Sequence, residues 1–277
     1  MEKLINVFGG SGFIGSRYSE LTSNIIINDR NDYMVKDEVT DIVYFISTVD
    51  NYNVYTDPYL DIDTNLTTLI KVLESCKGKD ITFNFISSWF VYGDVELPAK
   101  ETAHCDPKGF YSITKRAAEQ LLISYCETFG LKYRILRLAN VLGNTDKKVS
   151  KKRNALQYMI NEIKKNNEIE LYDGGTICRD YIYVDDVVTA INLILEKGNS
   201  NEIYNIGNGI SISLLETLNY VKKKINSTSN FKTIETNDFH KKVQTKNMVL
   251  NTSKLNSLGY KSSCNMICIL DILTTNN

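Results

Sequence analysis

The sequence is poor in residues on which several common kinds of active site depend. Its 277 residues include two histidines, His104 and His240. So few histidines argue against a zinc centre or a Ser-His-Asp triad, because both draw on histidine. The cysteines are scattered without a Cys-x-x-Cys pair, and we expect reduced thiols rather than a disulfide or metal framework. They are Cys76, Cys105, Cys126, Cys178, Cys264 and Cys268. We therefore predict no metal site.

The chain also has almost no net charge and no long apolar run. The formal net charge is −1, which argues against nucleic acid or an anionic membrane as the main partner. No apolar run approaches the ~20 residues of a membrane span. The start, MEKLINVFGG, resembles a first strand rather than a signal peptide, so we expect a cytoplasmic protein. With 43% hydrophobic residues, a chain of this length can form one large domain, or one domain and a small lobe.

Apolar runs alternate with segments of helical periodicity, which predicts an α/β fold with a doubly wound, Rossmann-like parallel sheet. The predicted strands are 4–8, 24–29, 41–47, 81–87, 133–140 and 202–207, and the predicted helices are 61–76, 111–129, 154–165 and 185–197. A basic run, 146–154, fits a solvated loop or a segment over an anionic ligand.

The first predicted strand leads into GGSGFIG, residues 9–15. Glycines here allow a tight turn and the close approach of a pyrophosphate to backbone N–H groups. Gly9, Gly12, Phe13, Ile14 and Gly15 are therefore predicted cofactor-binding residues. Asp29 ends the second strand, where a carboxylate can accept hydrogen bonds from a ribose.

The neighbouring Arg30 suits a 2′-phosphate instead, so NAD is favoured but NADP stays open.

A second element is YSITK, in which Tyr111 and Lys115 share one face at the start of a predicted helix. An ammonium close to a phenol lowers the pKa of the phenol, because opposite charge favours the phenolate. Such a tyrosine can act as a general base or acid near neutral pH. A Tyr-x-x-x-Lys spacing alone is common, but together with the glycine motif and a strand that ends in Ser88 it indicates an active site.

Together these elements resemble the extended short-chain dehydrogenases, and more narrowly the NAD-dependent epimerase/dehydratase family acting on nucleotide sugars. The resemblance runs from residue 4 to about residue 260. It includes SSWFVYGD (87–94), LRLANVLG (136–143), RDYIYVDDVV (179–188) and YNIGNGISIS (204–213).

The resemblance implies a role for each matching residue. Ser88 matches the catalytic hydroxyl, Tyr111 the acid/base and Lys115 its partner, the last two also contacting the cofactor. Asn140 and Arg179 match residues that contact the diphosphate of the substrate, although Arg179 could instead form an ion pair with Asp180 or Asp185.

Trp89 and Phe90 stand where dehydratases of the family have an acidic pair or similar. Neither aromatic side chain can move a proton, so a 4,6-dehydratase is disfavoured. We predict an epimerase that uses transient hydride transfer at sugar C4; a 4-keto-sugar reductase is the alternative. The intact Ser88, Tyr111 and Lys115 disfavour a third class, a non-catalytic cofactor sensor. Trp89 and Phe90 either line the sugar pocket or pack in the core.

The sequence departs from the family pattern in two segments. Between Asp29 and Asp41 the usual helix and strand have no counterpart, so we expect an exposed adenine. Near the C-terminus, Lys241 or Lys242 replaces an arginine as a substrate-binding point charge.

We predict a dinucleotide-binding domain of residues 1–142, to which 181–207 return, and a substrate lobe of 143–180 and 208–277. Family members commonly dimerise through two helices, here 61–76 and 111–129, which predicts a homodimer.

Overall fold

The computed structural model describes residues 3–243 and 247–275. Its main feature is a six-stranded sheet in the order β2-β1-β3-β4-β5-β9, in which every neighbouring pair is parallel. The strands are β1 (Ile5–Phe8), β2 (Ile25–Ile27), β3 (Asp41–Tyr44), β4 (Thr82–Ser88), β5 (Lys132–Leu138) and β9 (Glu202–Ile206). The predicted doubly wound α/β fold is confirmed.

Helices cover both faces of this sheet. On one face α1 (Phe13–Leu21) and α6 (Val184–Lys197) enclose a core that includes Tyr18 and Ile191. On the other face α3 (Thr68–Cys76) and α4 (Phe110–Phe129) enclose a second core. Because strands buried on both faces carry apolar residues almost without interruption, these were the segments that the sequence pattern predicted best.

The segment between β2 and β3 has neither helix nor strand, as expected. Two buried asparagines hold it against the sheet instead. The Asn6 side chain accepts from the backbone N–H of Lys36 at 2.9 Å, and the Asn28 amide donates to the carbonyl of Met34 at 2.8 Å. The strand β2 has three residues and lies at one edge of the sheet.

A third core lies under two small sheets. One contains β6 (Asn140–Leu142), β8 (Cys178–Tyr183) and β10 (Ser211–Ser213), and the other pairs β7 (Ile169–Tyr172) with β11 (Phe231–Ile234). The remaining helices are α2 (Tyr59–Ile62), α5 (Ala155–Lys164), α7 (Leu214–Lys224), α8 (Asp238–Val243), α9 (Ser253–Ser257) and α10 (Met266–Thr274). This separate core supports our proposal that 143–180 and 208–277 form a substrate lobe beside 1–142 and 181–207.

The prediction that all cysteines are reduced is wrong for one pair. Cys264 and Cys268 form a disulfide. Asn265 caps α10 by accepting from the backbone N–H of Cys268 at 3.0 Å. This cap turns the chain at the helix start and brings the two Cα atoms to 5.4 Å, within disulfide range. Within the described ranges, no helix is both long enough and apolar enough to span a bilayer.

Candidate active site

The turn between β1 and α1 forms a backbone cradle. Gly9 has φ +81°, and a Cβ on Gly15 would lie 2.3 Å from the carbonyl oxygen of Gly9. No side chain caps the start of α1, and residues 12–15 line a large cavity. Uncapped N–H groups at a helix start, carrying the positive end of the helix dipole, suit an anion such as a pyrophosphate.

The cavity has a volume of about 1270 Å³ and lies where the carboxyl ends of the central strands meet. This is where ligands bind in open α/β sheets. Most of the predicted site residues line it, drawn from both the sheet and the lobe. They are Gly12, Phe13, Ile14, Gly15, Ser88, Trp89, Tyr111, Lys115, Asn140, Arg179 and Lys241.

Tyr111 lies in the first turn of α4, close enough to the hydroxyls of Ser88 and Ser47 for both to favour its phenolate. Ser88 ends β4, and its Oγ accepts from the backbone N–H of Phe90 at 3.3 Å. Burial raises the pKa of Tyr111 to about 12, because a phenolate in this site would lose its hydration. Ser88 and Tyr111 therefore lie close together at the cavity wall, and their catalytic roles stay predictions.

Lys115 lies one turn further along α4 and is 2% exposed. Its Nζ donates to the carbonyl of Ile86 at 2.7 Å and lies 4.1 Å from the ring centroid of Phe85. Burial lowers the pKa of Lys115 to about 7. The expected lowering of the Tyr111 pKa by Lys115 is not found in this structure, because burial has the largest effect on the pKa of Tyr111 and raises it.

The position of Trp89 combines core packing with contact to the cavity. Trp89 is 2% exposed and belongs to the core, yet it also forms part of the cavity wall. Its ring stacks on Phe90 at 3.9 Å, and Phe90 meets the Tyr111 ring edge-on at 5.9 Å. An aromatic wall therefore adjoins the predicted acid/base.

Arg179 lies on β8 with its guanidinium 5.1 Å from the centre of the Trp89 ring. Burial lowers the pKa of Arg179 to about 10. The two carboxylates considered as its partners bond elsewhere. Asp180 accepts backbone N–H groups, one of them from Asn208 at 3.0 Å, and Asp185 accepts from Arg17 at 2.6 Å. Arg179 is a partly buried cation at the cavity wall, where a diphosphate would interact with it strongly.

Some predicted cofactor and substrate residues lie at the margin. Among the described residues, Gly9, Asp29 and Arg30 are outside the cavity lining, and the last two are exposed. Lys241 lines the cavity but bonds to Glu235 at 2.9 Å. Lys242 is exposed on α8.

The basic run contributes four cations to the cavity wall, which favours its interpretation as a segment over an anionic ligand. They are Lys148, Lys151, Lys152 and Arg153.

Sequence reasoning missed a polar network beside Tyr111. Ser47 donates to Asn65 at 3.0 Å, and the Asn65 amide donates to Thr48 at 2.8 Å and to Thr114 at 2.9 Å. The network ties the chain after β3 to the first turn of α4. A signal was available, because Ser47 and Thr48 follow an apolar strand just as Ser88 ends one. Asn65 gave no such signal, since it lies on a π-helical turn, residues 63–67.

Comparison with known proteins is consistent with this geometry. Residues 23–207 match the model of the NAD dependent epimerase/dehydratase family. A putative UDP-glucose 4-epimerase of Methanocaldococcus jannaschii is 26% identical over 93% of both chains. A dTDP-D-glucose 4,6-dehydratase of Dictyostelium discoideum is 28% identical over 80% of this chain and 61% of that protein. The crystal structure of the Thermotoga maritima UDP-glucose 4-epimerase with UDP-glucose superposes with a TM-score of 0.83, at 24% identity over 98% of this chain and 97% of that one.

Proposed function

The chain belongs to the NAD-dependent epimerase/dehydratase family, and from that premise we propose that it is a nucleotide-sugar epimerase acting by transient hydride transfer at sugar C4. One observation carries the proposal. A single cavity is lined by glycines of the cradle, by Ser88 and Tyr111, and by the partly buried cation Arg179. These groups suit a dinucleotide, a reacting sugar hydroxyl and a diphosphate, respectively.

The residues of the cradle fit NAD(P). A side chain at Gly15 would collide with Gly9, whereas Gly12 faces open space apart from one contact at 3.4 Å. The bound cofactor supplies a reversible hydride acceptor. Asp29 favours NAD by accepting hydrogen bonds from ribose hydroxyls, and the adjacent Arg30 leaves NADP as an alternative.

Tyr111 moves the proton in this mechanism. When the sugar is oxidised, the hydroxyl proton at C4 passes to the phenolate form of Tyr111, and when the ketone is reduced the phenol formed in that step returns it. Ser88 holds the reacting oxygen by hydrogen bonding, and its own position is fixed by Phe90 N–H. The high pKa of Tyr111 favours the phenol, which is the form that donates a proton to the ketone.

Trp89 and Phe90 argue against the dehydratase reaction, despite the similarity to a 4,6-dehydratase. Loss of water requires groups that protonate a leaving hydroxyl and remove a proton next to the ketone. The two positions after Ser88 carry aromatic rings at the cavity wall, and neither ring has a group that can act as a general acid or base. Detecting a 4-keto-6-deoxy product from the wild-type protein would overturn this part of the proposal.

We also propose that the protein is a homodimer. Large apolar side chains remain exposed on the two segments predicted to form its interface: Ile62 and Ile70 on 61–76, and Ile113, Leu121 and Phe129 on 111–129. Tyr125 donates to Glu74 at 2.7 Å, which joins the two helices into one surface. Pairing with a second copy would bury this surface in a four-helix bundle.

The open end of the cofactor site favours a second candidate, a 4-keto-sugar reductase. Asp29 and Arg30 are exposed beside the edge strand β2, so few groups enclose the adenosine half of a dinucleotide. A cofactor that is consumed must exchange, whereas an epimerase regenerates its cofactor in each turnover. Absorbance and mass spectra of the purified protein separate the two, since retained NAD supports the epimerase and a site that fills only with added NADPH supports the reductase.

The Tyr111→Phe variant tests the proposed chemistry. It removes a proton relay and little volume, so we expect epimerisation of UDP- and dTDP-hexoses to fall about 10²–10⁴-fold. Cofactor binding should change little, and calorimetric titration with NAD(H) and NADP(H) provides that control. A near wild-type rate would exclude Tyr111 from the mechanism.

A further inference from the structure

The cavity presents two chemically different walls near Tyr111. One is polar and comes from the chain after β3, where Ser47, Thr48, Asp50 and Asn51 line the space. The other is aromatic and consists of Trp89 and Phe90. A sugar bound between these walls meets hydrogen-bonding groups on one side and ring surface on the other.

The aromatic wall is fixed in place. Trp89 is buried in the core, and the Phe90 ring stacks on it with an interplanar angle of 23°. The backbone N–H of Phe90 is bonded to Ser88, and the ring meets Tyr111 at 81°. Phe90 is therefore held on both sides and has little freedom to move away from a ligand.

The position of the reacting carbon follows from the proton transfer. Its oxygen must lie within hydrogen-bond reach of Tyr111 and Ser88. The centroid of the Phe90 ring is 5.9 Å from that of Tyr111, so a substituent on the next sugar carbon comes within contact distance of Phe90. For reaction at C4 the two neighbouring carbons are C3, which carries a hydroxyl in both kinds of sugar, and C5, which carries hydroxymethyl in a hexose and methyl in a 6-deoxyhexose. We take C5 as the carbon that faces Phe90.

We propose that Phe90 is a specificity-determining residue that selects nucleotide sugars with an apolar substituent beside the reacting carbon, and thus 6-deoxyhexoses. The inference rests on the proposed function. A hydroxyl placed against the ring loses its water without gaining a partner, whereas a methyl group is favoured there. Because forming a 6-deoxyhexose from a hexose takes loss of water and a two-electron reduction, a dehydration and a reduction of a nucleotide hexose must precede this step.

Equilibrium binding tests the proposal without requiring turnover. The probes are glucose and 6-deoxyglucose, each as its UDP and dTDP derivative, titrated into the whole protein by calorimetry. We expect the wild type to bind the 6-deoxy derivative about 10–100-fold more tightly with at least one of the two nucleotides. Phe90→Gln should lose this preference, because its amide can bond to a hydroxyl.

Phe90→Leu is the matched control, since it keeps an apolar wall and should keep most of the preference. A general structural defect would weaken both sugars equally, so the ratio of the two affinities is the informative quantity. If the wild type bound both sugars equally, or if Phe90→Gln kept the wild-type ratio of affinities, the role of Phe90 would be refuted and the proposed function would stand. If neither sugar binds with either nucleotide, the proposed function fails together with it.

Discussion

Two glycines in the β1–α1 turn should respond to the same substitution in opposite ways. At Gly12 the backbone is extended, with φ −75° and ψ 170°, and an added Cβ would meet only the Gly9 oxygen at 3.4 Å. Gly12→Ala should therefore fold with unchanged or slightly higher stability, by up to about 1 kcal/mol. Its methyl group occupies space that a pyrophosphate needs, and cofactor affinity should fall by about 1–3 kcal/mol, or roughly 5–150-fold.

Gly15→Ala is the contrasting variant. Its Cβ would lie 2.3 Å from the Gly9 oxygen and 3.1 Å from Cα of Gly10, both backbone atoms that cannot rotate away. The turn must open, at a cost to stability of about 1–3 kcal/mol. In a protein of this size that lowers Tm by about 2–4 °C per kcal/mol.

Thermal unfolding and calorimetric titration with NAD(H) and NADP(H) measure both effects. If Gly12→Ala binds the cofactor as the wild type does, the cradle does not hold the pyrophosphate.

Three further predictions concern charge and assembly. The folded-state pKa of Lys115, about 7, lies below its ordinary value of 10.5, so the unfolded chain binds more protons between these pH values. We therefore expect the free energy of unfolding of the wild type, measured relative to that of Lys115→Met, to rise between pH 7 and 10 by at most about 1.4 kcal/mol per pH unit. Chemical denaturation at several pH values measures this difference. A difference that stays flat or falls with pH would contradict the burial of Lys115. Arg179→Lys should raise KM for a nucleotide sugar about tenfold with a smaller change in kcat, because a lysine cannot bind a diphosphate in bidentate fashion. An unaltered KM would show that Arg179 does not bind the substrate. Leu121→Arg should give a monomer of about 31.5 kDa by sedimentation equilibrium, whereas Ile267→Arg, at an exposed position on α10, should leave a dimer; a monomeric wild type would refute the assembly.

The sheet and its connections were largely predictable from the sequence. Buried parallel strands such as 81–87 produce continuous apolar runs, and the long α4 shows clear helical periodicity. The lobe was less predictable, because strands such as β6 and β10 have three residues each and gain stability only from their neighbours. The disulfide depends on how a cap turns the chain before α10, and the spacing of cysteines does not reveal that.

The candidate site was predictable where a side chain ends a strand or begins a helix. Ser88 and Tyr111 are such residues, and the structure brings their hydroxyls together. The pKa of Tyr111 was predicted in the wrong direction, since sequence spacing indicates the distance to a charge but not the burial of both groups. Asn65 was missed because its partners come from two distant parts of the chain, residues 47–48 and Thr114.

The fate of the hydrogen at C4 tests the central claim most directly. UDP- and dTDP-sugars carrying deuterium at C4, both hexose and 6-deoxyhexose, are incubated with the protein and NAD(P), and the products are examined by NMR and mass spectrometry. We expect a 4-epimer that keeps its deuterium at C4, formed by the wild type and not by Tyr111→Phe. An epimer with solvent hydrogen at C4, or a product formed by loss of water, would contradict hydride transfer at this site.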